Sequence, residues 1–339
     1  MPRVSDQTSC AQPKVSVPMI TYNHEKFVAQ AIESVLMQET DFPVELVIGE
    51  DCSTDSTRKI VQEYAARYPN AIRALLPEHN LGMMPNAIAT LTACRGEYLA
   101  LLEGDDYWTH AAKLKKQVAA MESHPDWALC FHRVRFVSNE TGETAGFMPP
   151  GPQRQVSTVE DLLITSPMHT CSILCRNGLV NPWPDWMLGL AMGDYPLQVL
   201  TALHGKIGFM DEVMADYRMH EGGVWANRGS AWQTCKYSEM LSVLRTHLPR
   251  SCQRILLPIE AKYYFSASIQ YYCENQYALA RRLAWKPILR HFLKPGFPRR
   301  DGLRTLYTLY FTDRLRTRIG RIRRRLFAAQ QHTLSKPPC

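Results

Sequence analysis
Glu103, Asp105 and Asp106 place three carboxylates within four residues. They close an apolar run, Tyr98-Leu99-Ala100-Leu101-Leu102, that has the length and composition of a buried strand. Crowding three anions into one turn costs repulsion unless something positive sits among them. A hard divalent cation, held by carboxylate oxygens and by the phosphates of a ligand, meets that need. The plain alternative is a solvated acidic turn after a strand, and the surrounding chain decides between the two. A second acidic pair, Glu50-Asp51, closes another apolar run, Val44-Glu45-Leu46-Val47-Ile48. A third acid, Asp194, follows Gly193.

The elements that would carry these residues alternate in type. Val15 to Ile20 reads as a strand despite Pro18, which removes a ladder donor. Thr21-Tyr22-Asn23 then turns into a helix with Phe27, Ala31, Ile32, Val35 and Leu36 on one side. The second strand ends at Glu50-Asp51, and Cys52-Ser53-Thr54-Asp55 supplies cap candidates for the next helix. Ala71 to Leu76 is a third strand, His79 to Gly82 a loop, and Pro85 to Cys94 a helix. The fourth strand delivers Glu103 and Asp105. Strands alternating with helices of this length imply right-handed crossovers and a mostly parallel sheet. Ligands of such sheets sit outside the carboxyl ends of the strands. Thr21 and Tyr22, Glu50 and Asp51, and Glu103 and Asp105 all fall at that edge. Further on, Trp127 to Phe131, Met168 to Leu174 and Lys206 to Phe209 read as strands. Asn139 to Val156 is rich in Gly, Pro and polar residues and reads as a loop or hinge. From Ala231 the pattern is helical to the end.

Three segments carry a family resemblance: Val15 to Asn23, the turn Glu50-Asp51-Cys52-Ser53-Thr54-Asp55, and Glu103-Gly104-Asp105-Asp106-Tyr107-Trp108 with Lys113-Leu114-Lys115-Lys116-Gln117 behind it. In this order they resemble the family-2 inverting glycosyltransferases, over about residues 14 to 225. The resemblance implies an α/β, GT-A (nucleotide-diphospho-sugar transferase) fold: a mixed, mostly parallel sheet flanked by helices, here with a helical C-terminal extension. It implies a metal-dependent inverting transfer of sugar to a hydroxyl acceptor, in surface polysaccharide or similar glycan synthesis. Asp51 matches the acid that binds the nucleotide base, with Thr21 and Tyr22 as the wall beside it. Glu50 and Cys52 stand where the family's turn has Asp and Gly. Asp105 matches the metal-coordinating Asp of Asp-x-Asp, the metal being Mn²⁺ or Mg²⁺. Glu103 takes that motif's first position, and Asp106 orients the turn. Asp194 matches the catalytic base, which takes the acceptor hydroxyl's proton. Its plain alternative is a helix cap. His220, in Tyr217-Arg218-Met219-His220-Glu221-Gly222-Gly223, matches a segment that closes many such domains and would complete the metal shell. Arg218 is a candidate for phosphate. His132, His169 and Trp183 are candidates for an acceptor pocket or for core packing.

The resulting division is a flexible N-terminus (1–13), a glycosyltransferase domain (14–228) and a helical basic region (229–339). The net charge of +7 is uneven: Arg281 to Arg325 carries fifteen Lys and Arg against Asp301 and Asp313, a balance of +13 that leaves −6 elsewhere. Arginines interleaved with Leu, Ile, Tyr and Phe suit a basic amphipathic helix on an anionic membrane surface. A solvated helical cap is the alternative, and no nucleic-acid module accompanies the charge. The ten cysteines form no CxxC pair and read as free thiols. With no apolar run of membrane-spanning length and no secretory leader, the expected location is cytoplasmic, on the inner face of a membrane. The expected partners are a nucleotide-diphospho-sugar donor and a saccharide or lipid-linked saccharide acceptor. No GxGxxG follows the first strand, which argues against a dinucleotide dehydrogenase. The non-enzymatic alternative is a nucleotide- or glycan-binding relative of the same fold, which would tolerate loss of Asp194.

Overall fold
The structure, a computed structural model, describes residues 12–223 and 228–310. The chain divides into two compact units between Asn227 and Arg228.

The first unit is built on one mixed sheet. Strand β1 (Val15–Thr21) lies between β2 (Val44–Glu50) and the consecutive short strands β4 (Tyr98–Ala100) and β5 (Leu102–Glu103), all parallel to it. Strand β3 (Ile72–Leu75) adds in parallel outside β2. Pro18 is tolerated in this central strand because its register falls at the break between β4 and β5. There Leu101 turns its amide to the Ile173 carbonyl instead, at 3.0 Å. Helices α1 (Val28–Leu36), α2 (Thr57–Arg67) and α3 (Met83–Ala93) supply the crossovers. Their apolar faces complete a core that includes Val17, Met19, Ile32, Val35, Leu46, Ile48 and Val61.

Beyond β4 the sheet continues through β10 (Leu174–Arg176), β7 (Trp127–Ser138), β11 (Lys206–Met219) and β6 (Tyr107–Trp108). Strand β10 runs antiparallel to both its neighbours, and β7 and β11 are parallel to each other. Three expectations are corrected here. The segment Asn139 to Val156 is not all loop, because Thr144–Met148 forms β8, antiparallel to β7. Gly and Pro at its ends hide an edge strand whose side chains are half exposed. Met168 to Leu174 is not a continuous strand, since Thr170–Ser172 makes a 3₁₀ turn before β10. The strand expected over Lys206 to Phe209 extends to Met219, which carries the chain up to His220. Helices α4 (Lys113–Ser123), α5 (Val159–Ile164) and α6 (Asp194–Ala202) and strand β9 (Val156–Ser157) complete the unit.

The second unit is helical: α7 (Ser230–His247), α8 (Arg250–Cys273), α9 (Tyr277–His291) and a helical stretch over residues 299–310. Its core gathers Tyr264, Ala267, Leu283, Ala284 and Leu309. Leu289 and Leu293 stand one helical turn apart, 79% and 87% exposed, beside Arg290 and Lys294. Of the basic region Arg281 to Arg325, residues 311–325 lie outside the described residues, as do 1–11 at the N-terminus. Among the described residues no helix is long and apolar enough to cross a membrane, and the cysteines are free.

Candidate active site
Register alone brings the acids together. Thr21 pairs with Glu50 across β1 and β2, and Ile20 pairs with Glu103 across β1 and β5. Both acidic turns therefore leave the sheet side by side at its carboxyl edge. Gly104 sits at the junction: a Cβ there would come 2.6 Å from Thr21 Oγ1 and 3.2 Å from His24 Nδ1. Any side chain would push the Glu103–Asp106 turn away from the turn that follows β1.

Asp51 is buried, and its carboxylate accepts the backbone N–H groups of Leu81 and Gly82 at 2.7 and 3.0 Å. Asn80 donates to its carbonyl at 2.8 Å. The acid thus shapes the loop after β3. Each carboxylate oxygen has two lone pairs, so an acceptor site toward a base remains. Glu50 is fully buried, with one oxygen taking the Ser53 N–H at 2.7 Å and Arg58 Nε 3.5 Å from the other. Cys52 adopts φ +58°, the left-handed conformation for which the family's Gly is suited. Thr21 is buried with no partner for its hydroxyl among the described residues, whereas Tyr22 is exposed.

The Glu103–Asp106 turn is an electrostatic well. Burial, then the charges of Asp105 and Asp194, push the Glu103 carboxyl up to about 8. Asp106 is raised well above the carboxylate range by burial and by Asp105 and Glu103. Burial alone would raise Asp105 too, but a hydrogen bond from His220 and the neighbouring His24 reverse this and hold it low. The turn therefore keeps its negative charge on Asp105 (Oδ2), 3.2 Å from His220 Nε2 and 3.6 Å from His24 Nε2.

Arg218 is engaged with the acidic turn. Its Nε donates to the Asp105 carbonyl at 2.8 Å, and its backbone N–H donates to Asp106 at 2.9 Å. Its guanidinium lies between the rings of Phe27 and Tyr107, at 4.8 and 4.7 Å. It clamps the acidic turn from behind. Asp106 is tied to β11 through that Arg218 N–H. It also lies with His169 and Cys171 in a buried cluster whose ligand atoms are within 4.8 Å of one another. Burial pushes the Cys171 thiol well up and lowers His169 to about 4, so both are neutral at physiological pH. His132 is buried in the core, and His169 packs on Tyr217 at 4.1 Å.

Asp194 opens α6 in its first turn, directly after Gly193, whose Cα packs against Met84 of α3. The residue as a whole is exposed, yet burial of its carboxyl by the surrounding protein raises its pKa, and its charge in turn raises Glu103. A carboxylate held above its ordinary pKa suits proton removal.

Sequence reasoning missed His24. Its backbone N–H donates to Thr57 Oγ1 at 2.8 Å, and its carbonyl accepts Phe27 and Val28 N–H, so it starts α1. The only signal was its place beside Thr21-Tyr22-Asn23; Asp105 is 81 positions further along the chain. The Lys113–Gln117 segment also gains a role. Lys113 Nζ donates to Gln117 Oε1 at 2.7 Å, Gln117 Nε2 donates to the Ser172 carbonyl at 2.9 Å, and Trp108 Nε1 donates to the Cys171 carbonyl at 3.0 Å.

This donor set fits a divalent cation. A carboxylate oxygen and an imidazole nitrogen 3.2 Å apart have about the spacing of adjacent ligands on a six-coordinate ion with bonds of ~2.1 Å.

Comparison with known proteins agrees with this geometry. Residues 16–180 match the family model described as "Glycosyl transferase family 2". An uncharacterized protein of Mycobacterium tuberculosis is 39% identical over 224 residues, covering 65% of this chain and 64% of the relative. Among solved structures, Staphylococcus aureus TarS 1-349 in complex with UDP-GlcNAc superposes with a TM-score of 0.64 at 20% identity, over 89% of this chain and 92% of that one. The mannosyltransferase PcManGT of Pyrobaculum calidifontis, in complex with GDP-Man and Mn²⁺, gives 0.53 at 15% identity, over 89% and 88%. At those identities the likeness shows the fold. The sheet order and the solved neighbours show a GT-A fold, and residues 16–180, just under half of the chain, carry the match to glycosyl transferase family 2.

Proposed function
We propose that this chain transfers a glycosyl group from a nucleotide-diphospho-sugar to a hydroxyl of a saccharide or lipid-linked saccharide, with inversion and with Mn²⁺ or Mg²⁺, in the synthesis of a surface glycan. The observation that carries the reading is the convergence of the Glu50-Asp51 and Glu103–Asp106 turns at one sheet edge, with Asp194 close enough to raise Glu103. Nucleotide-sugar complexes of structural neighbours, with UDP-GlcNAc and with GDP-Man and Mn²⁺, support the donor class and the metal.

In this reading Thr21 and Asp51 receive the base, and Asp105 with His220 holds the cation. The cation, when bound, neutralises charge on the departing diphosphate. Asp194 takes the proton of the acceptor hydroxyl as that oxygen forms the new glycosidic bond opposite the leaving group, which inverts the anomeric centre. Glu103 and Asp106 flank Asp105, and Arg218 fixes the turn that carries them.

The reading places the protein at the inner face of a membrane, with the basic surface that includes Arg282, Arg290, Lys294 and exposed Leu289 and Leu293 meeting anionic lipid. Equal sedimentation with and without anionic vesicles would remove that part alone. The central test is Asp194→Asn. Nucleotide-diphosphate release from a panel of nucleotide-sugars should fall by about 10²–10⁴-fold, while Mn²⁺-dependent donor binding by calorimetry stays within a few-fold. Retained turnover refutes the base, and absence of donor binding by the unsubstituted protein refutes the enzyme reading.

A further inference from the structure
Two imidazoles, not one, face the metal-binding oxygen. His220 Nε2 and His24 Nε2 lie 3.2 and 3.6 Å from the same atom, Asp105 Oδ2. Their rings are perpendicular, with centroids 6.3 Å apart, so they approach that oxygen from different directions. We propose that His24 is a ligand of the divalent cation held by Asp105, so that the protein offers one carboxylate oxygen and two imidazole nitrogens. This rests on the metal-dependent reading above and extends it to a residue outside the matching motifs.

The two rings differ in readiness. His220 Nδ1 accepts the Gly222 N–H at 3.1 Å, which leaves its proton on Nε2, pointing at Asp105. To bind a metal through Nε2, His220 must move that proton to Nδ1 and give up Gly222. His24 needs no such exchange. Its Nδ1 is buried without a partner among the described residues, so it can carry the ring proton while Nε2 presents its lone pair. A metal-bound histidine commonly donates its other ring N–H, and Thr21 Oγ1, also unpartnered and buried, borders the same Gly104 junction.

Position is fixed as firmly as chemistry requires. Asn23 N–H donates to Ser53 Oγ at 2.9 Å, Thr54 N–H donates to Asn23 Oδ1 at 2.9 Å, and Glu25 N–H donates to Asp55 at 3.1 Å. The turn carrying His24 is thus pinned to the turn after β2 on both sides of the histidine. A site with two nitrogens prefers a transition ion to Mg²⁺, which is satisfied by oxygen.

The test uses Mn²⁺ alone on the full chain. Pulsed electron paramagnetic resonance of the bound ion should show two directly coordinated nitrogens in the unsubstituted protein and one in His24→Gln. Mn²⁺ affinity should fall by about 10–100-fold, and the preference for Mn²⁺ over Mg²⁺ should shrink with it. Thermal unfolding of the metal-free variant checks that the turn still folds, and the nitrogen count in the unsubstituted protein needs no variant. A single nitrogen there, lost only in His220→Gln, overturns the proposal. So does a His24→Gln protein that binds Mn²⁺ as tightly as the parent. In either case the metal-dependent reading survives; if the parent binds no Mn²⁺, both fall.

Discussion

Lys113→Met should stabilise this protein at neutral pH and destabilise it in alkali. Lys113 is fully buried behind the acidic turn, its Nζ 4.0 Å from the Trp108 ring centre and donating to Gln117. Burial lowers its pKa from 10.5 to about 7, only partly opposed by the nearby thiols of Cys130 and Cys171. Below pH 7 the folded and unfolded chains both carry the proton, and the folded state bears the whole cost of desolvating it. Between about 7 and 10.5 the folded lysine is neutral while the unfolded one is still charged, so stability rises with pH. At about 1.4 kcal/mol per pH unit, that window corresponds to roughly 5 kcal/mol. Methionine matches the lysine stem but leaves Gln117 Oε1 buried without its donor, a loss of about 1–3 kcal/mol. The variant should therefore be more stable by about 2–4 kcal/mol at pH 7, with the order reversing near pH ~9. Urea unfolding of both proteins at pH 7, 8, 9 and 10 measures the difference. The buried thiols of Cys130 and Cys175, pushed up to about 12, titrate in both proteins and largely cancel. A difference that does not change with pH, or a variant less stable at pH 7, refutes the assignment of this lysine as a neutral buried amine.

Three further outcomes follow from the turns. Cys52→Gly relieves a left-handed residue at φ +58° and should raise stability by about 0.5–1 kcal/mol, read as a higher thermal midpoint with donor binding intact. Gly104→Ala forces a Cβ to within 2.6 Å of Thr21 Oγ1. It should cost about 1–3 kcal/mol and weaken Mn²⁺-dependent donor binding, checked by unfolding and calorimetry. Arg218→Gln loses both ring contacts and the bond to the Asp105 carbonyl. It should cost about 1–3 kcal/mol and weaken Mn²⁺ more than metal-free nucleotide; an equal loss for both would place Arg218 on the phosphates after all.

What could be read from the sequence was what strand geometry imposes locally. Glu50, Asp51, Glu103 and Asp105 each follow an apolar run, and a parallel sheet has only one carboxyl edge, so their shared address needed no side-chain detail. The same logic found the strand around Pro18, although only the register shows why a central proline is tolerated: the ladder breaks where Leu101 turns to Ile173. Strand β8 was hidden because a half-exposed edge strand gains little from apolar alternation, and its Gly and Pro neighbours read as loop. Residue roles were not legible where a side chain had two chemically equal destinations. An arginine beside an acidic turn can meet a phosphate or the turn itself, and only the positions of Phe27, Tyr107 and the Asp105 carbonyl reveal its hold on the turn. His24 failed for the complementary reason: a histidine in a polar turn has no period and no spacing, and its relation to Asp105 exists only after β1 and β5 pair. The acidic motif is therefore half of the site. Its charge is legible in three letters, but which of the three keeps that charge is settled by two imidazoles, and one of them, His24, stands where no spacing rule points.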